Sequence, residues 1–102
     1  MKAYLLSAET RRELLGACHG VCKDCGTARS GDLDWADTSW GVILCLRCAG
    51  RHRSHSRTKS LEMDSWTAAE VASLRRKLAG PLDEAAYARA CSPTQRARAG
   101  RA

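Results

Sequence analysis

Six cysteines carry most of the chemistry available to this 102-residue chain, and four of them fall in two matched pairs. Cys22 and Cys25 are separated by two residues, as are Cys45 and Cys48, with nineteen residues between the pairs. Two intervening residues let one tight turn aim both sulfurs at the same point. The nineteen-residue excursion lets a short hairpin bring the second pair round to the first. Four thiolates then form the tetrahedron that Zn²⁺ accepts at ~2.3 Å per bond. The expectation is one zinc held by Cys22, Cys25, Cys45 and Cys48. Four protein ligands leave no place for a reactive water, so the metal is structural and replaces core that a short chain lacks. Cys18 and Cys91 lie outside this set, and Cys18 reads as a small apolar packing residue. His19, His52 and His55 read as surface or packing histidines, because the thiolates already fill the shell.

Ser7 or Thr10 starts a helix that ends near Gly16, and Thr10 with Glu13 has the spacing of a capping box. Residues 26–33 are polar and turn-rich, which predicts a loop. Trp35-Ala36 and Gly41–Leu44 predict two short strands around Asp37-Thr38-Ser39. The second cysteine pair opens a helix over about 46–54. Leu61 and Met63 alternate with Glu62 and Asp64 and suggest a third strand. Thr67 and Glu70 form a second capping box, after which Val71, Leu74 and Leu78 recur at helical spacing. Trp66 stands just before that cap, placed to staple against Val71. Gly80-Pro81 stops the helix, and a last one covers about Asp83–Ala90. The fold class is therefore a small α+β zinc-binding domain. A short three-stranded antiparallel sheet is flanked by four or five helices over residues 1–91. Residues 92–102 hold three arginines and no acid, the pattern of a disordered tail.

Composition narrows the function. The N-terminal apolar run is too short for a secretory signal or a membrane span. That favours the reducing cytoplasm, where thiols bind metal rather than pair as disulfides. The net charge is +6, and all of the excess lies in the second half, with eleven basic and five acidic side chains in residues 51–102. A basic half suits an acidic partner: a nucleic acid, an anionic membrane or an acidic protein face. No phosphate-cradling Gly-rich loop with Lys-Ser/Thr is present, so the chain is not itself a nucleotide hydrolase.

The run from Ser39 through Trp40-Gly41-Val42-Ile43-Leu44-Cys45 to Cys48-Ala49-Gly50-Arg51-His52-Arg53, preceded by Trp35-Ala36, resembles the core of the Arf GTPase-activating protein domain. Downstream, Ser60–Thr67 resembles that family's Ser-(apolar)-x-(apolar)-Asp-x-Trp segment. The resemblance covers about residues 7–91. It implies an ArfGAP-like fold whose partner is an Arf-type small GTPase in its GTP form. It also implies that Arg53, five residues past the last cysteine, is an arginine finger inserted beside the γ-phosphate. Such a fork stabilises charge on the transferring phosphoryl group, and Lys cannot replace its geometry. Trp40, Arg57 and Lys59 are the implied partner-facing residues, and the protein would act in the cytoplasm or peripherally on membranes.

The chain departs from the family pattern twice. The stretch between the cysteine pairs is longer, with the surplus placed in Ser30–Asp34. The segment His52–Ser60 is shorter and lacks the family's Gly and apolar positions. Lys59 stands where the family has a second arginine, with Arg57 as a nearby substitute. Two other readings therefore stand beside the activator. One is a degenerate member that binds a protein without activating it. The other is a zinc-ribbon nucleic-acid binder using Arg51, Arg53, Arg57, Lys59 and the Arg75-Arg76-Lys77 cluster on phosphates.

Overall fold

The structure is a computed structural model that describes residues 2–28 and 33–91. The expected disordered tail, 92–102, and part of the expected surplus loop lie outside the described residues. Nine elements follow one another: β1 (Ala3–Leu5), α1 (Ala8–Ala17), β2 (Trp35–Asp37), β3 (Val42–Leu44), α2 (Leu46–His52), β4 (Thr58–Ser60), β5 (Ser65–Thr67), α3 (Ala68–Ala79) and α4 (Glu84–Cys91).

The central sheet is antiparallel with strand order β3-β2-β4. Its hairpin pairs Trp35 with Leu44 and Asp37 with Val42. Asp37 organises the turn between them. Its Oδ1 accepts from Ser39 N–H at 2.9 Å and Trp40 N–H at 3.2 Å, while its carbonyl accepts from Gly41 N–H at 2.8 Å. Gly41 closes the turn at φ 75°. A Cβ there would collide with the Lys77 Cβ of α3, so the position needs glycine on both counts.

The third strand is not where residue alternation placed it. The strand is Thr58–Ser60, pairing Lys59 with Ala36, and residues 61–64 form a turn. Ser60 holds that turn by accepting from Met63 N–H at 2.9 Å, and its own N–H donates to Asp64 Oδ2 at 2.7 Å. Leu61 is buried and Met63 exposed because the chain reverses there, not because it is pleated. A second sheet, β1 paired with β5, has no counterpart in the expected architecture.

Helix α1 begins at Ser7, whose Oγ accepts from Thr10 N–H at 3.1 Å. Thr10 is already inside the helix and cannot take the extended backbone of a cap. The Thr10–Glu13 box therefore does not form, and Glu13 pairs with Arg75 of α3 instead. The second box forms as expected. Glu70 N–H donates to Thr67 Oγ1 at 3.1 Å and Thr67 N–H to Glu70 Oε1 at 2.8 Å. Helix α3 stops at Ala79, before Gly80-Pro81.

Two buried clusters flank β3. Ile43 joins Leu14, Trp66, Val71 and Leu74 beneath α1 and α3. Val42 and Leu44 face the other way, toward Leu33, Ala49, Tyr87 and four of the cysteines, Cys22, Cys45, Cys48 and Cys91. The period of two along a strand puts neighbouring residues into different cores. Leu33, from the expected polar loop, is 3% exposed.

Candidate functional site

The two cysteine pairs converge. Cys22 and Cys25 lie on a tight turn closed by Gly26 N–H to the Cys22 carbonyl at 2.9 Å, with Gly26 at φ 75°. Lys23 N–H donates to the Ile43 carbonyl at 3.0 Å and fastens this turn to β3. Cys45 is the N-cap residue of α2, extended at ψ 168°, and Cys48 follows within the first turn. All four sulfurs lie within 4.8 Å of one another, and only Cys25 is exposed.

The donor set fits Zn²⁺. The Cys25 and Cys45 sulfurs are 3.7 Å apart. A tetrahedron with ~2.3 Å bonds has edges of about 3.8 Å. The thiol electrostatics agree. Burial pushes the Cys22 and Cys48 thiols up, and the neighbouring sulfurs add to the rise at Cys48. Burial also opposes ionisation of Cys45, but the Cys48 N–H and the adjacent thiols outweigh it and hold that group below the usual thiol value. Four sulfurs this close cannot all carry charge without a cation between them. Arg51 adds a contact that spacing did not reveal, donating from Nη1 to Cys48 Sγ at 3.5 Å.

His52, read as a surface or packing histidine, is a packing one with charged partners. Its ring is fully buried, with Nδ1 2.7 Å from Asp37 Oδ2 and Nε2 2.7 Å from Asp24 Oδ2. Asp24 also accepts from the Tyr87 hydroxyl. Burial favours the neutral ring, yet hydrogen bonds to Asp24 and Asp37 raise its pKa to about 9. These partners come from the first cysteine turn, the central strand and α4, and no local motif links them.

Arg53 follows His52 immediately. It is the C-cap of α2, its N–H donating to the Ala49 carbonyl at 3.0 Å. The residue is exposed, and its guanidinium carbon lies 5.2 Å over the centre of the Trp35 ring. Trp40 stacks edge-on against Tyr87 at 5.5 Å. Arg57 is exposed, with its main chain pinned to the hairpin turn through Thr38 and Ser39. Lys59 points inward. Its Nζ donates to the Ser65 carbonyl at 2.7 Å and to both Glu70 oxygens at 3.1 Å, and it sits over Trp66.

A four-helix α+β fold with a three-stranded antiparallel sheet and a four-cysteine cluster able to bind metal defines a small cysteine-cluster domain. A family model described as "Putative GTPase activating protein for Arf" matches residues 9–98, and the chain belongs to that family. Similar proteins include Arf-GAP with dual PH domain-containing protein 2 of Rattus norvegicus, 44% identical over 54 residues, covering 50% of this chain and 14% of the rat protein. ADP-ribosylation factor GTPase-activating protein AGD12 of Arabidopsis thaliana is 43% identical over 58 residues, covering 53% of this chain and 16% of the plant protein. Arf-GAP with coiled-coil, ANK repeat and PH domain-containing protein 2 of Gallus gallus is 38% identical over 71 residues, covering 64% of this chain and 9% of the chicken protein. The chain thus spans only a small part of these relatives. Among the described residues, no helix is long and apolar enough to cross a membrane.

Proposed function

We propose that this protein acts in trans on an Arf-type small GTPase in its GTP form, with Arg53 as the arginine finger. Family membership implies the Arf partner. The observation that carries the finer reading is the seating of Arg53. It is an exposed arginine directly after a histidine clamped between two buried carboxylates, on a helix whose first turn begins at two clustered cysteines. That anchoring fixes where the fork projects, and preorganisation is what a group acting on transition-state charge requires. Trp35 beneath the guanidinium restricts it further. In this reading Cys22, Cys25, Cys45 and Cys48 hold one structural Zn²⁺, whose work is to fix the base of α2. Trp40 and Arg57 flank the partner-facing surface.

Residues 1–91 would form the working domain and the Arg-rich 92–102 an arm for anionic membrane, where each basic residue is worth roughly 1 kcal/mol. The test is GTP hydrolysis by a panel of Arf-type GTPases on anionic vesicles, with and without the protein. Stimulation of one member supports the reading, and a flat panel removes it.

One observation favours a second reading, a binding module without activity. Lys59 stands at the family's second arginine but spends its ammonium on Glu70 and Ser65. A GTPase that is retained but not stimulated would select this reading. Tighter binding to nucleic acid than to vesicles or GTPase would select the zinc-ribbon reading.

A further inference from the structure

A second group of metal-ligating side chains lies outside the four-cysteine cluster. His52 at the end of α2, His55 in the following turn and Cys91 at the end of α4 bring their ligand atoms within 4.8 Å of one another. The two imidazole rings are 5.3 Å apart between centres. His52 and Cys91 are fully buried, whereas His55 is exposed.

Three features suit this group to a divalent cation. First, the donors are two imidazoles and one thiol, the mixed set that Zn²⁺ accepts. Second, a metal-bound histidine usually gives its other ring N–H to a carboxylate, which fixes the ring. His52 already has Asp37 on Nδ1 and Asp24 on Nε2, so one carboxylate can orient the ring while the other yields to a cation. Third, Asp24 and Asp37 are two buried carboxylates facing a single imidazole. A cation seated beside this imidazole thus has carboxylate oxygens close by.

We propose that His52, His55 and Cys91 form a second, weaker zinc-class site that clamps the end of α4 to the turn bearing Arg53. Binding releases the proton held by His52 and the proton of the Cys91 thiol, and no other covalent bond changes. The cation must displace Asp24 from its contact with His52, so this site fills after the four-cysteine site. A tetrahedral site of this kind has donor separations of about 3.3 to 3.6 Å. Closing from the observed spacing falls to His55, the exposed member, through rotation of its side chain.

The experiment adds Co²⁺ to the intact 102-residue protein already carrying one zinc per chain. Uptake of about one cobalt, with thiolate-to-cobalt charge-transfer absorption, is expected. Cys91→Ser should abolish that absorption, and His55→Ala should weaken uptake at least about tenfold. His55→Ala changes only an exposed side chain, so its circular dichroism should match the parent and keep the comparison valid if Cys91→Ser is destabilised. No cobalt uptake by the zinc-loaded protein would overturn the proposal. So would a thiolate band that survives both substitutions, which would move the site to other residues such as Cys18.

Discussion

His52 Nδ1 lies 2.7 Å from Asp37 Oδ2, and neither side chain reaches solvent. This contact joins the helix that carries Arg53 to the central strand of the sheet. Breaking one partner of a buried pair leaves an uncompensated charge and costs about 3–5 kcal/mol. His52→Gln should lose stability on that scale in denaturant unfolding.

The same contact predicts a pH response. The folded pKa of His52 is raised to about 9, above an unfolded value of about 6.5. Its contribution is therefore complete below about 6.5 and is lost as pH rises through about 9. Asp37 runs the opposite way. Burial would raise its pKa, but His52 and the Trp40 N–H hold it below the usual carboxylate value. Its contribution is present above that ordinary value and lost as pH falls through the depressed one. With only the four-cysteine site loaded, the His52 ring should stay protonated at pH 7 by NMR. A ring that is neutral at pH 7 would refute this account.

Chelation should unfold the domain. Three of the four clustered cysteines, Cys22, Cys45 and Cys48, form part of the second buried core, where they stand with Val42, Leu44 and Ala49. Metal binding and folding share one free energy in such a domain. Elemental analysis should find one tightly held zinc per chain, and strong chelation should remove the helical circular dichroism. A metal-free protein with intact helices would contradict this.

Trp66 is fully buried with Val71 and Leu74, and its indole N–H donates to the Ser60 carbonyl at 3.0 Å. Trp66→Ala should cost ~3–5 kcal/mol. A loss under about 1 kcal/mol would mean the site collapses far better than the packing suggests.

Gly41→Ala is a small change with a large expected effect. It adds a Cβ in a left-handed conformation and drives it into Lys77. The backbone strain alone costs about 1–3 kcal/mol, and the collision adds to it. The lowered melting temperature should be reproduced by Gly41→Ser.

Arg53→Ala and Arg53→Lys should each lose on the order of 10³-fold in stimulated GTP hydrolysis. GTPase binding should change much less, because a finger acts mainly in the transition state. Arg47, exposed on α2, is the appropriate control, and Arg47→Ala should keep most activity. Arg51 would make a poor control because it touches Cys48. Equal losses at Arg53 and Arg47 would point to a diffuse basic patch.

The sequence by itself determined what depends on local spacing. Paired cysteines at two-residue spacing need only a tight turn each, so their convergence is readable from the chain. The Thr67–Glu70 box, the β2–β3 hairpin and the stop at Gly80 are likewise short-range, set by a few neighbouring residues. Tertiary structure decided whatever depends on partners distant along the chain. The alternation from Leu61 to Asp64 suits a strand as well as a turn, and the choice fell to Ser60 and its hydrogen bonds with Asp64 and Met63. Strand β1 exists because Ala3 meets Thr67 across most of the domain's length in sequence. Lys59 looks like a free surface cation until Glu70 is folded against it. His52 shows the limit most clearly. Its charge is set by Asp24 and Asp37, which lie 28 and 15 residues away in sequence, and only the folded chain brings two carboxylates to one buried imidazole.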